Sequence, residues 1–318
     1  TTFLYMISSK NLPKGKTGGY LALAITSIVW GTTWVASKIG VAEMPALQMA
    51  YIRQFLGGIC FVLFFMLYRK LALPTLKEFL WLLIMALLMF VLANGLSTWS
   101  LKFIPTGLSA LVGALYPLSV VVIEMVFFKS RNMTILTFIG LLLGITGIGI
   151  VFYENAFQHH PDGFIFGVVL SVIAMLSWSV GTIVIVRKKT KLNPYYATGW
   201  QMLIGAFILF IVAETAQPTI PFKNISATAW GAITYLVLAG SLLAFIAFIY
   251  SMKKLPAAIS SLYAYINPLV AMVTAAIVLH EKLTMYILWG AIVTLAGVFL
   301  VNYSLKRSRE KIIAEPEQ

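Results

Sequence analysis

Ten long apolar runs follow one another along this chain of 318 residues, and they limit its fold more than any other feature. Each run holds about 20 residues, the length that an α-helix needs to cross the hydrocarbon core of a bilayer. The predicted spans are 18–40, 46–68, 78–100, 106–128, 134–153, 163–186, 194–215, 227–252, 256–279 and 284–304. The sequence therefore predicts an all-α membrane protein of ten transmembrane helices.

Composition excludes most other classes of protein. Apolar residues make up 60% of the chain and charged residues 10%. In soluble domains, apolar residues make up about 45–50% and charged residues about 25%. A soluble enzyme, a coiled coil and a disordered chain are thereby excluded. Cys60 is the single cysteine and lies inside an apolar run, so neither an intramolecular disulfide nor a zinc cluster is expected. No metal or other cofactor is predicted.

The positions of lysine and arginine predict the topology. If the N-terminus is in the cytoplasm, 18 of the 23 lysine and arginine residues fall on the cytoplasmic side and four on the opposite side. The remaining one, Arg53, lies within a span. Cytoplasmic loops of membrane proteins carry such an excess of cations, so both termini are expected inside. The net charge of +13 is then a sign of topology, and no nucleic-acid partner is predicted. The first 17 residues do not have the pattern of a signal peptide.

The second half of the sequence repeats the first. PTGLSALVGALYPL begins at Pro105 and PAAISSLYAYINPL at Pro256, an offset of 151. Equivalent pairs at offsets of 148 to 151 are Trp30 and Trp178, Arg53 and Gln201, Ser109 and Ser260, Pro117 and Pro268, and Gly140 and Gly290. The predicted units are a tail (1–17), two five-helix repeats (18–153 and 163–304) and a second tail (305–318). Since five is odd, the repeats should have inverted topology, as in many secondary transporters.

The sequence also resembles a known family. The features that carry the resemblance are the five-plus-five pattern, Trp30-Gly31 in span 1, Pro45 to Arg53 at the entry to span 2, the paired proline-containing helices, and HEKLT at 280–284. They are similar to the drug/metabolite transporter superfamily, EamA type, and within it to aromatic amino acid exporters. The resemblance implies a basket-shaped ten-helix carrier of small metabolites. One departure is that Ser130 stands where Glu281 stands in the second half.

Spans 4 and 9 contain the first group of predicted substrate-binding residues. Residues three or four apart share a helix face, and each of these faces ends beside a proline, Pro117 or Pro268. A proline inside a helix kinks it and frees a carbonyl, which helps to shape a polar cavity. The residues on the two faces are Ser109, Tyr116, Ser260, Tyr263 and Asn267. The alternative is that the kinks only pack against neighbouring helices.

A second group of predicted binding residues lies in spans 1, 3 and 6. Trp30, Thr33 and Trp34 share a face of span 1, Trp178 occupies the equivalent face of span 6, and Asn94 lies deep in span 3. Aromatic walls with a few polar groups suit a flat or amphipathic organic molecule. Simple packing of the tryptophans and helix–helix bonding by Asn94 are the alternatives. For the aromatic group around Phe245 in span 8, packing is favoured.

Arg53 and Glu124 are the ionisable residues that lie most clearly within the predicted spans. Such groups tend to face a cavity or to pair with each other. Arg53 could bind an anionic group, or it could tie helices together, and the second role is favoured. Glu124 is the candidate for ion coupling, but it could also be a counter-ion for Arg53 or an interfacial carboxylate.

The function predicted from these features is secondary transport. The chain is expected to move small organic metabolites, amino acids among them, across a bacterial-type inner or cell membrane, as an exporter that works by alternating access. No Walker A motif is present, so ATP coupling within the chain is not expected. A membrane-embedded enzyme or a channel is the alternative, although no catalytic motif supports it. Gly140 and Gly144 form a GxxxG, so the expected state is a monomer or a weak homodimer.

Overall fold

The computed structural model describes residues 17–128, 134–156, 162–188, 190, 192–216, 218–255, 259 and 262–314. Over these residues the backbone forms helices joined by short connections, without a β-strand. The α-helices are α1 (Thr17–Glu43), α2 (Ala46–Arg69), α3 (Leu76–Ala86), α4 (Leu96–Ser100), α5 (Thr106–Gly113), α6 (Tyr116–Phe128), α7 (Ile135–Ala156), α8 (Phe164–Arg187), α9 (Pro194–Ala216), α10 (Ala227–Tyr235), α11 (Ala244–Lys254), α12 (Tyr263–Val278) and α13 (Met285–Ala314).

Eight helical stretches within the described ranges are long and apolar enough to cross a membrane. They are Thr17–Glu43, Ala46–Arg69, Leu76–Ser100, Thr106–Phe127, Phe164–Ile185, Pro194–Thr215, Ala227–Lys254 and Met285–Ser304. Two shorter apolar helices, Ile135–Val151 and Tyr263–Val278, occupy the places of the predicted fifth and ninth spans. Much of the first turn of the predicted ninth span lies outside the described residues.

Two helices contain a π-helical segment that the hydropathy pattern does not predict. Segment π1 (Leu87–Gly95) joins α3 to α4, and segment π2 (Leu236–Leu243) joins α10 to α11. The two segments lie at equivalent positions in the two halves. A π turn bonds residues five apart and is common at functional sites.

Side chains from other helices bond to carbonyls of both π segments. Gln54 donates through Nε2 to the Phe90 carbonyl of π1 at 3.0 Å, and Trp30 donates through Nε1 to the Gly240 carbonyl of π2 at 3.1 Å. In both segments, a backbone carbonyl thus accepts a hydrogen bond from a side chain of another helix. This explains how the wider turns are tolerated inside apolar surroundings, where an unpaired carbonyl is costly.

The two proline-containing spans differ from each other. In the first half the helix stops at Gly113 and restarts at Tyr116, so Pro117 is the second residue of α6. A proline is well tolerated in a first turn because its missing N–H would have no partner there. In the second half Pro268 lies inside α12. The kink predicted at Pro117 is therefore a break between two helices, whereas Pro268 is an interior proline.

Helices of the two halves contact one another in a symmetric pattern. Helix α1 packs on α10, α11 and α12 of the second half, and α8 packs on α4, α5 and α6 of the first half. Since α1 and α8 are equivalent in the repeat, the contacts of α1 with α11 and α12 correspond to those of α8 with α4, α5 and α6. The α2–α9 and α7–α13 pairs likewise join equivalent helices. The first helix of each half thereby packs against the opposite half.

Candidate functional site

A cavity of about 190 Å³ lies between the two halves, lined by helices of both. Trp30, on its wall, is the fourteenth of the 27 residues of α1, so this wall lies near the middle of that helix. Eight of the ten residues that the sequence predicts to bind substrate line it together: Trp30, Thr33, Trp34, Asn94, Tyr116, Trp178, Tyr263 and Asn267. Pro268 lines it as well.

The other two predicted binding residues do not contribute to the described wall. Ser109 is fully buried behind it, with its hydroxyl 3.1 Å from that of Ser100 and 3.3 Å from that of Ser171. The sequence predicts that Ser109 shares a face with Tyr116, but the helix is interrupted between Gly113 and Tyr116, and of the two residues it is Tyr116 that lines the cavity. Ser260 lies outside the described residues.

Aromatic rings form one continuous part of the cavity wall. The Trp30 ring lies 5.1 Å from Phe245 and 5.3 Å from Tyr263, and Tyr263 stacks on Tyr116 with ring centroids 6.3 Å apart. Phe245, for which the sequence favours packing, lines the cavity too. The rings form a preorganised apolar surface because each is held in place by its neighbours.

Two indole N–H groups fix the tryptophans of α1. Trp34 donates through Nε1 to Oδ1 of Asn267 at 2.9 Å, and Trp30 donates to the Gly240 carbonyl. Both bonds join a helix of the first half to one of the second. Gly31 lies between the two tryptophans, and a Cβ there would lie 2.5 Å from Val270, so glycine permits the close approach of α1 and α12. The bonds and the close contact set the width of the cavity on this side.

Asn94 lies on the cavity wall and also bonds to a neighbouring helix. It lines the cavity from π1, and its Oδ1 accepts a bond of 3.1 Å from Nε2 of Gln54. The amide thus bonds helix to helix while it faces the cavity.

Arg53 brings a positive charge to the same cavity. Its side chain is only 7% exposed, lines the cavity and donates through Nε to the Ser241 hydroxyl of π2 at 3.2 Å. This bond ties α2 to the second half, which agrees with the favoured structural role.

Glu124 lies elsewhere. Its carboxylate is 3.8 Å from the guanidinium of Arg187, and the two side chains are 36% and 47% exposed respectively. The alternative that makes Glu124 the counter-ion of Arg53 is therefore wrong, because Glu124 faces Arg187 between α6 and α8. Its partial exposure agrees with the interfacial alternative. Within the described ranges no cluster of three or more His, Cys, Asp or Glu side chains could hold a metal ion.

Sequence reasoning missed several small polar residues of the cavity wall. Ser37, Ser97 and Ser171 line it. Ser37 lies one turn beyond Thr33, and Ser97 lies three residues beyond Asn94, so helical spacing from the predicted residues would have found both. Ser171 lies two turns before Trp178 on α8, and the same spacing applies to it.

Comparison with known proteins supplies the family. The model of the EamA-like transporter family matches residues 17–153 and 165–303. The chain is 29% identical to the protein named "Uncharacterized transporter YvbV" of Bacillus subtilis, over 97% of this chain and 99% of that protein. It is 30% identical to the "Uncharacterized inner membrane transporter YedA" of Escherichia coli K12, over 79% of each.

A solved crystal structure shares the fold. It superposes with a TM-score of 0.63 at 14% sequence identity and covers 91% of this chain and 98% of its own. With the apolar helices described above, the family match and the relatives named as transporters make the protein a multi-pass integral protein of the cell membrane and a membrane transporter. The chain, with two copies of the family's repeat, belongs to the EamA-like transporter family.

Proposed function

We propose that this transporter exports small organic metabolites, amino acids among them, by alternating access. One observation carries the proposal: the aromatic and polar residues predicted from both repeats converge on a single cavity between the halves. Substrate sites of transporters built from inverted repeats lie near the midplane at the repeat interface.

The repeat supplies the physical basis of alternating access. Trp30 and Trp178 are equivalent residues of α1 and α8, and both line the cavity. If the second repeat is inverted relative to the first, two such halves can exchange conformations around a fixed site. The cavity then opens to one side of the membrane or to the other. In this proposal the cytoplasmic side holds both chain termini.

The size of the cavity limits the cargo. A dry cavity of about 150 Å³ in a protein core accommodates benzene. The cavity here, at about 190 Å³, has room for a ring of that size with a small polar head group. The rings of Trp30, Tyr116 and Tyr263 offer it flat faces. Glu124 is the candidate for proton coupling, and facilitated diffusion is the alternative.

Asn267 offers a sharp test of the site. Replacing it with alanine leaves the part-buried indole N–H of Trp34 without its acceptor and removes an amide from the cavity wall. We expect Asn267→Ala to lower the rate of substrate counterflow in proteoliposomes by roughly tenfold or more while the protein still purifies as a folded species. Ile266→Ala is the matched control, because this neighbour on the same helix is 39% exposed on the outer surface. Equal rates in the two variants would remove Asn267 from the site.

A growth assay tests the direction of transport. Cells that express the transporter are exposed to toxic analogues of amino acids and other small metabolites. Export predicts increased resistance and lower accumulation of at least one analogue relative to cells that express Asn267→Ala. Increased sensitivity would show import and would contradict the proposed direction.

A further inference from the structure

The cavity contains a buried cation without an acidic partner. Arg53 is 7% exposed and lines the cavity, and among the described residues its guanidinium makes one side-chain hydrogen bond, from Nε to the Ser241 hydroxyl. A guanidinium carries five N–H donors in a planar fork that matches a carboxylate. Most of that donor capacity is therefore open to a ligand.

The surroundings of Arg53 offer no compensating charge. No acidic side chain lines the cavity within the described ranges, and the ion pair of Glu124 is made with Arg187. Burying a charge is expensive unless it is paired and hydrogen-bonded. A ligand that brings a negative charge would supply the missing partner, whereas a ligand that brings only a positive charge would be repelled.

The remaining wall of the cavity is apolar and aromatic. The ring centroid of Trp30 lies 5.1 Å from that of Phe245 and 5.3 Å from that of Tyr263. Aromatic faces can also attract a cation, so the rings alone would be compatible with an amine. The charge of Arg53 favours a carboxylate over an amine, because its guanidinium lines the same small cavity as the rings.

We propose that the cavity binds small monocarboxylates with an apolar, ring-sized body. The carboxylate is held by the guanidinium of Arg53 and the body lies against the rings of Trp30 and Tyr263. An amino group on the ligand is not required. This inference rests on the proposed function, in that the cavity is taken as the transport site, and it names the class of cargo.

Three probes that share one ring and differ in the charge of the head group test which head group the cavity prefers. They are phenylacetate, phenylacetamide and 2-phenylethylamine, which carry a negative, a neutral and a positive head on the same ring. Binding to the purified protein in detergent is measured by titration calorimetry and by quenching of tryptophan fluorescence. We expect phenylacetate to bind roughly tenfold or more tightly than the amide, because a charge-assisted bidentate bond is lost. The amine should bind more weakly still.

Variants assign the preference to Arg53. In Arg53→Gln the preference for phenylacetate over phenylacetamide should disappear, and Arg53→Lys should keep part of it, since the charge remains but the planar fork is lost. Arg69→Gln is the matched control, because this exposed arginine at the end of the same helix does not line the cavity. Should Arg53→Gln fail to fold, the ranking of the three probes on the native protein decides the question.

The outcomes separate this inference from the proposed function. Tighter or equal binding of the amide or the amine would overturn it, and so would the absence of binding by all three probes. Binding of phenylacetate that Arg53→Gln leaves unchanged would also overturn it. If the carboxylate preference holds but no probe is moved in proteoliposomes, the inference stands and the proposed function fails.

Discussion

A single loop carboxylate, that of Glu281, holds a helix of the cavity wall in place. It accepts bonds from the backbone N–H groups of Thr106 at 2.9 Å and Gly107 at 3.3 Å, at the start of α5. The first N–H groups of a helix have no partner within the helix and carry a partial positive charge. Because Glu281 belongs to the second half and α5 to the first, this contact also joins the two repeats.

Removal of this carboxylate should destabilise the protein. Glu281→Ala leaves the first turn of α5 uncapped, and losses of N-terminal caps cost about 1 kcal/mol. We expect a lower midpoint of thermal unfolding in detergent. Glu281→Gln, which keeps an acceptor oxygen but loses the charge, should show a smaller decrease. Lys282→Ala is the control, since this neighbouring side chain is exposed. Equal midpoints for Glu281→Ala and Lys282→Ala would refute the capping role.

At the residue scale, the sequence predicts which residues of one helix share a face, but it does not predict which residues of different helices come into contact. Trp30, Thr33 and Trp34 share a face by their spacing alone, and the structure places all three on the cavity. The partners of Glu281 and Glu124 could not be predicted in the same way, because each contact joins residues that lie far apart in the sequence. The interruption of the helix before Tyr116 could not be predicted from spacing either, and Ser109 bonds to Ser100 and Ser171 away from the cavity wall.

At the scale of elements, glycines bring α7 and α13 into backbone contact. A Cβ on Gly147 would lie 2.6 Å from the carbonyl oxygen of Gly290, and one on Gly140 would lie 2.7 Å from that of Gly297. Backbone atoms cannot move aside as a flexible side chain can. The GxxxG glycine at position 140 therefore serves packing within the chain, between the last helices of the two halves.

Two glycines two residues apart provide a matched pair of variants on α7. Gly147→Ala places its methyl group against the backbone of α13, whereas a Cβ on Gly149 meets nothing within 4 Å. Alanine is otherwise the better helix former by about 1 kcal/mol. We expect Gly147→Ala to lower the thermal midpoint and Gly149→Ala to leave it unchanged or raise it. A Gly147→Ala protein as stable as the native one would show that the two helices separate easily.

Hydropathy predicts where these helices lie but not how their backbones are wound. A window of about 20 apolar residues has the same average whether its bonds join residues four or five apart, so π1 and π2 are invisible to it. The segments depend on Gln54 and Trp30, which reach their carbonyls from other helices. Their presence in both halves follows from the repeat, and knowledge of one would have predicted the other.

At the scale of the whole molecule, the repeat is the step from sequence to site. It relates Trp30 to Trp178, and it places their helices α1 and α8 against the opposite halves. The position of the cavity between the repeats could be predicted from this relation together with the known sites of transporters with inverted repeats. The unpaired positive charge of the cavity could not be predicted in this way, because whether Arg53 has an acidic partner depends on how the helices pack.

Orientation in the membrane is the last prediction at this scale. If both termini are cytoplasmic, α8 begins outside and ends inside the cell, so Asp162 and Thr190 at its two ends face opposite sides. Both are exposed. In a Cys60→Ala background, which removes the single native cysteine, Asp162→Cys should react with a membrane-impermeant maleimide on intact cells. Thr190→Cys should react only after permeabilisation. The opposite pattern would reverse the topology and, with it, the excess of cations on the cytoplasmic side.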